Sequence, residues 1–429
     1  MRPLARALPS VLLLCLLLLC RPAGAYSLLT HEQLIDLTWQ SSIVPLLRSR
    51  YPNITPEELE HARSYAYAGS VIQDIGYYPF GDPFVSNLTH YVRSGDFIVF
   101  LFRDAKDANQ LAFAIGALSH YIGDNIGHSM ATNRSVPIEF PKLAAKYGPV
   151  VTYGEDEHAH VQTEFAFDIN EIAHRRLAPA HYLRHIGLNV PTQQLATAFY
   201  DTYGLSEDFS KARSRRINVG GFRFAVRSFI PRIAYALTLL HRSRMPADSM
   251  GPELQKLLSE VAQVETENNW DQYRKKAGIG TYALAGLIFI VPKIGPLKLA
   301  AIKGPTVATE EEYVRSVNLA TDALGSAMTR LGTAHQTLAN RDLDTGAPVH
   351  PGGYRLTDET YAKLVHRLVA NPNHSVPPGL KGDILNYYAD PSAPIYTKKN
   401  ARKWAQLQSE LQTLKTMPVS TQPISIETD

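Results

Sequence analysis

The stretch from Ser119 to Asn133 reads SHYIGDNIGHSMATN and sets His120, Asp124 and His128 at i, i+4 and i+8. On an α-helix that spacing lines one face, so two imidazoles and a carboxylate would point the same way, the makings of a metal site. At about 1.5 Å per residue His120 and His128 stand roughly 12 Å apart along the axis, and they converge on one small cation only awkwardly. More than one metal is therefore expected, with Asp124 placed to bridge. Downstream, DEHAHVQTEFAFD sets His160 and Glu164 at i, i+4 with Asp156 one turn earlier, so a second helix can present a second pair of ligands. Nitrogen and carboxylate ligands on facing helices suit zinc. The plain alternative is a helix carrying these groups on its solvated side, but ten of the fifteen histidines fall between His31 and His185, more clustering than a charged surface requires.

The elements that must carry these residues read as helices, and the chain as all-α. Thr55-Pro56-Glu57-Glu58 has the form of a capping box with proline in the first turn, opening a helix to about Ile75. Further helices are expected near 107–131, 157–176, 192–203, 222–242, 251–273, 309–340, 357–370 and 397–416. Residues 344–354 and 371–382, rich in proline and glycine, read as loops, and no internal repeat is present.

Residues 1–25 read as a signal peptide: Arg2 and Arg6 precede an apolar run from Val11 to Leu19, and Ala23-Gly24-Ala25 supplies the small residues of a cleavage site. The mature, exported chain is then expected to begin at Tyr26. Cys15 and Cys20 leave with the signal, so disulfides cannot hold the fold. Arg2, Arg6 and Arg21 account for the whole formal charge of +3. The near-neutral remainder gives no basic stripe for a polyanion, and no duplex nucleic acid is expected as partner. A first domain is read over 26–245, a helical C-terminal region over 246–416 and a disordered tail over 417–429. Within the C-terminal region, 277–291 is uncharged, flanked by lysines and short of the roughly 20 residues a membrane span needs. It reads as a buried helix hairpin or as a peripheral membrane contact through 277–303.

With Tyr26 as first residue, His31 follows a free α-amine by five positions, and together with the helix motif this resembles the zinc-dependent phospholipase C family. That family includes the N-terminal domain of glycosylphosphatidylinositol-specific phospholipase D and, more distantly, fungal single-strand nucleases. The resemblance spans about Tyr26 to Arg242 and implies a multi-helix domain, extended here by C-terminal helices, that holds up to three zinc ions. It implies that Tyr26 binds metal through its own amine and carbonyl, so that signal cleavage also activates. His31 resembles the histidine sharing that zinc, and Asp74, in AGSVIQDIGYYPFG, the aspartate that binds zinc and serves as general base. His90, in NLTHYVRSGDF, stands where the family places another ligand. His120 and Asp124 match the HYxGD core, and His160 and Glu164 the downstream HxxxE pair. Counting Tyr26 and His128, nine ligands are assigned. Gly127 precedes His128 where secreted bacterial members carry Pro-x-His two residues later; the HxxxDxxxHS spacing is closer to the phospholipase D domain. His158 competes with His160, whose i, i+4 partner favours it. His61, His174, His181 and His185 read as surface or capping residues, Tyr77, Tyr78 and Phe80 as pocket wall or core, and Asn53, Asn87, Asn133 and Asn373 head glycosylation sequons.

The expected function is an exported zinc-dependent phosphodiesterase hydrolysing phospholipids in the phospholipase C manner. The alternatives are phospholipase D-type cleavage, a nuclease or 3'-nucleotidase, which would need an aromatic base pocket, and a non-catalytic zinc-stabilised protein that binds membranes.

Overall fold

Leu28–Thr38 forms helix α1, and every residue of it is buried, the polar His31, Glu32, Gln33 and Asp36 included. A helix without a solvated face belongs at the centre of its domain, and the remaining helices wrap it. The computed structural model describes residues 27–78, 81–209, 219–248, 251–290, 302–331, 337–371 and 374–420; the expected signal peptide and Tyr26 lie outside them. The protein is all-α, with no strand among the described residues.

Helix α2, Pro56–Gly69, opens on the expected capping box: the Thr55 amide donates to Glu58 Oε2 at 2.8 Å and the Glu58 amide to Thr55 Oγ1 at 3.2 Å. It ends at Gly69 instead of running to Ile75, and a 3₁₀ turn, Gln73–Gly76, carries Asp74. The next helices are α3, Pro83–Tyr91; α4, Ser94–Arg103; and α5, Ala108–Gly127. Helices α2 and α5 make the most extensive pair in the fold. Their backbones meet at two glycines: a Cβ on Gly69 would stand 2.1 Å from the Phe113 carbonyl oxygen, and one on Gly116 2.1 Å from that of Ala66.

After Gly127 the helix widens into a π turn over His128–Thr132, then continues as α6, Asn133–Glu139. Helix α7, Glu157–Ala173, is capped by Asp156, whose Oδ1 accepts from the Ala159 amide at 2.9 Å. Asp156 is thus a cap and not a ligand.

The later helices used below are α8, Ile230–His241; α9, Pro252–Glu267; α10, Ile279–Ile290; α11, Val307–Leu331; α12, Arg355–Val369; and α13, Ala401–Thr416. The division expected at 245 is not a packing boundary. Helix α11 packs on α1 and α5, α12 packs on α3, and one hydrophobic cluster runs from Leu28 to Met417. One loop and the tail are also read differently. Pro378–Tyr387 is a helix, and the first residues of the expected tail are ordered, since Met417 is buried and the Val376 amide donates to the Pro418 carbonyl at 2.9 Å; 421–429 lie outside the described residues.

Within the apolar stretch Ile279–Ile290 is helix α10, and 291–301, where the second half of the expected hairpin or membrane contact falls, lie outside the described residues. Leu284, Ala285 and Ile288 are buried on the side packed against α8. Ile279, Tyr282, Phe289 and Ile290 are 90, 60, 74 and 78% exposed. No helix among the described residues is long and apolar enough to cross a membrane.

Candidate metal centre

The expected ligands within the described residues come from six parts of this framework: His31 from α1, Asp74 from the 3₁₀ turn, His90 from α3, His120 and Asp124 from α5, His128 from the π turn, and His160 and Glu164 from α7. All eight are buried. They assemble into three groups whose ligating atoms lie within 4.8 Å of one another: His31 with His120 and Asp124; Asp74 with His90 and His120; His128 with His160 and Glu164. His120 belongs to two groups. Asp124 reaches between them, with Oδ1 3.3 Å from His31 Nε2 and Oδ2 3.3 Å from His90 Nε2 and 3.1 Å from His120 Nε2.

The imidazoles are held from behind. His90 Nδ1 donates to the Ser86 carbonyl at 2.7 Å, His120 Nδ1 to Ser70 at 2.9 Å, and His128 Nδ1 to Leu343 at 2.6 Å. Each carbonyl fixes the proton on Nδ1 and leaves Nε2 as the inward lone pair. His160 is turned the other way, with Nε2 donating to Asn133 Oδ1 at 2.9 Å and Nδ1 2.7 Å from Glu164 Oε1. The Gly69 and Gly116 contact is what brings the carbonyl of Ser70, just past the end of α2, within reach of His120 on α5.

The inward atoms test whether a metal fits. Asp74 Oδ1, both carboxylate oxygens of Asp124, His128 Nε2, His160 Nδ1 and both oxygens of Glu164 are buried without a hydrogen-bond partner of proper geometry among the described residues. Burying so many polar atoms unpaired is costly unless a cation satisfies them together. Two ligands about 2.0–2.1 Å from a tetrahedral zinc lie about 3.3 Å from each other. The 3.1–3.4 Å separations among His31, Asp74, His90, His120 and Asp124 have that spacing. Five imidazoles with three carboxylates make a nitrogen and oxygen donor set that suits zinc.

Electrostatics point the same way. Burial works against protonating His90 and His120, but Asp124 and Asp74 outweigh it and raise both above the ordinary imidazole range. Burial likewise opposes ionisation of Asp124, yet His120, His31 and His90 hold its carboxyl well below the usual value. His31 is lowered by burial and by His120, and His160 by burial and by His128. Burial, then the carboxylates Asp124 and Asp74, push Glu164 far up. Positive charge is thus drawn to Asp124, while Glu164 carries excess negative potential that a cation would relieve.

Residues 30–207 match the family model of zinc-dependent phospholipase C. That segment contains all eight side chains of the three groups, so the resemblance read from the motifs is borne out over these residues, and the family is one of zinc-dependent hydrolases. No curated protein and no solved structure matches the chain.

The rival histidines fall elsewhere. His158, His61 and His185 are exposed. His174 joins Asp248 and Glu310 in a fourth acidic group, but the Arg176 guanidinium pairs with both carboxylates there. Asn133, the head of a sequon, is buried, with Nδ2 donating to the Asp344 carbonyl and Oδ1 accepting from His160; its burial makes it a support for His160 and not a glycan site. Tyr77 is buried with its hydroxyl donating to Asn87 Oδ1 at 2.9 Å and its ring 5.7 Å from that of His90. Motif reading missed Asn133 and a second acidic residue beside His128: Asp344 Oδ1 lies 3.8 Å from His128 Nδ1. Nothing in the local sequence of either marks it.

Proposed function

We propose that this chain is an exported zinc-dependent phosphodiesterase that hydrolyses phospholipids in the phospholipase C manner, through a centre of up to three zinc ions. The observation that carries the reading is the set of three buried ligand groups within the segment that matches the zinc-dependent phospholipase C family.

Zinc bound there would supply Lewis acidity toward phosphate oxygens and lower the pKa of a water toward about 7. The side chains do the rest. Asp124 and His120 hold two groups at a fixed separation, and the carbonyls of Ser70, Ser86 and Leu343 lock the rings that face them. Asp74, with Oδ1 3.4 Å from His90 Nε2 and no hydrogen-bond partner for that oxygen among the described residues, would accept a proton from the attacking water. Tyr26 would add its amine and carbonyl once the signal is removed. The start of α1 is tied down next to it: the Leu29 amide and Thr30 hydroxyl donate to Asp168 at 3.1 and 2.7 Å.

The exposed face of α10 serves as the contact with the lipid surface. Ile279, Tyr282, Phe289 and Ile290 recur at helical spacing, and the exposed Lys275, Lys276 and Lys303 suit anionic headgroups. A substrate that resides in a bilayer makes that surface the occupant of this face.

The test is mass spectrometry of products from mixed phospholipid vesicles incubated with zinc-loaded protein beginning at Tyr26, beside a His120→Ala control. Diacylglycerol with a phosphorylated head group, absent in the control, is the expected result. Phosphatidic acid would move the assignment to D-type cleavage. No lipid product, with turnover of single-stranded DNA, would replace it with a nuclease.

A further inference from the structure

The third group of ligands is finished by residues far outside the family match. The chain from Asn340 to Val349 folds back on itself: the Asp342 amide donates to the Ala347 carbonyl at 2.9 Å and the Val349 amide to that of Asn340 at 3.1 Å. At its tip, Asp342 Oδ1 accepts from the amides of Asp344 and Thr345 at 3.1 and 3.2 Å. Gly346 closes the turn at φ 71°, where a Cβ would stand 2.7 Å from the Asn125 carbonyl oxygen on α5. The turn therefore sits flush against the helix that carries His120 and Asp124, and only glycine permits it.

From that position the turn touches two candidate ligands, His128 and His90, and Asn133, the support of a third. The Leu343 carbonyl accepts from His128 Nδ1 at 2.6 Å, the Leu343 amide donates to the His90 carbonyl at 3.1 Å, and the Asp344 carbonyl accepts from Asn133 Nδ2 at 2.7 Å. Asn133 passes the contact on, since its Oδ1 accepts from His160 Nε2. Asp344 anchors the tip: its buried carboxylate accepts at Oδ2 from the hydroxyls of Tyr91 and Tyr354, at 2.8 and 2.7 Å. Tyr91 follows His90 on α3 and Tyr354 precedes α12, so the anchor joins the first half of the chain to the second.

We infer that the turn Asp342–Gly346 is part of the metal centre, with Asp344 and Asn133 as positioning residues that hold His128 and His160 in ligating orientation for one metal ion. The inference rests on the reading of the three groups as zinc sites. Its physical content is that a neutral imidazole binds metal only through the nitrogen its other hydrogen bond leaves free, and that outer-shell partners of this kind are worth about 10–100-fold in metal affinity. Three of the four nitrogen-to-support contacts around the centre stay within the matched segment; the one at His128 does not, and His160 depends on Asn133, which the turn holds. Of these four supports, those of His128 and His160 are thus the ones that C-terminal residues hold.

The experiment is chelator competition on the full chain from Tyr26, loaded with zinc, following zinc release for the wild type and for Asn133→Ala, Asp344→Ala and Tyr354→Phe. In the two alanine variants one ion per chain leaves at about tenfold lower chelator concentration or less, while the others leave as in the wild type. Tyr354→Phe removes one hydroxyl and keeps the ring, so it shifts the same ion in the same direction by less, and it stands in where an alanine variant does not fold. The thermal midpoint of the metal-free protein separates positioning from general damage. Release curves unchanged from the wild type overturn the inference, as does an equal shift of every ion accompanied by a lower metal-free midpoint. A wild type that holds no zinc overturns the metal-centre reading and this one together; a wild type that holds zinc and cleaves lipid, with unaltered variants, overturns this one alone.

Discussion

His120 and Asp124, one helical turn apart on α5, bring Nε2 and Oδ2 to 3.1 Å, and the same Asp124 oxygen lies 3.3 Å from His90 Nε2 on another helix. Two candidate ligand groups therefore share a helix turn, and helix geometry sets the Asp124 carboxylate between them.

Asp124→Ala should remove this bridge and with it more than one zinc ion per chain, because Asp124 touches ligands of two groups. Metal analysis of the purified variant is the check. A variant that keeps the full zinc content of the wild type would contradict the bridging role.

Gly116→Ala should destabilise the protein by about 1–3 kcal/mol even though alanine favours helix, because the new methyl has to displace the Ala66 carbonyl. Urea denaturation of the metal-free protein measures it. A gain in stability would mean that α2 and α5 are not as close as described.

How much of this was legible in the sequence depended on distance along the chain. The pairs His120 with Asp124 and His160 with Glu164 could be read because helix periodicity makes i and i+4 neighbours. His31, Asp74 and His90 could be placed only through family resemblance, since packing between separate elements brings them in. Helix α1 gave no amphipathic signal because its polar residues are buried along with its apolar ones. The π turn over His128–Thr132 has no local signature, nor has the partnership of Asn133 with Asp344, which are 211 residues apart. The same long-range closure explains why a domain boundary drawn from composition near 245 is crossed by the core.

Stability should carry a pH signature from Glu32. Burial pushes its carboxyl up to about 7 against an ordinary 4.5, and the neighbouring Arg227 only partly offsets this. The folded state then holds the proton more tightly than the unfolded state. The contribution is fully present below about 4.5 and is lost as pH rises through about 7. The stability difference between wild type and Glu32→Gln, measured by denaturation, should shift against the wild type between about pH 5 and about pH 8. A difference that is flat or moves the other way contradicts the assignment.

Ile279→Asp and Ile290→Asp alter side chains on the exposed face of α10, far out in solvent at 90 and 78% exposure. Each should weaken binding to anionic phospholipid vesicles by about tenfold or more, the scale of one apolar side chain kept out of the bilayer. Hydrolysis of a water-soluble short-chain phosphodiester should be unchanged. Equal loss on both substrates would show that the face supports the fold and not the lipid contact.

The most direct test of the metal centre is anomalous scattering at the zinc absorption edge from crystals of the zinc-loaded chain. Three peaks are expected, one within each of the groups His31–His120–Asp124, Asp74–His90–His120 and His128–His160–Glu164. Peaks only at exposed histidines, or no zinc among these eight side chains, would contradict the metal centre.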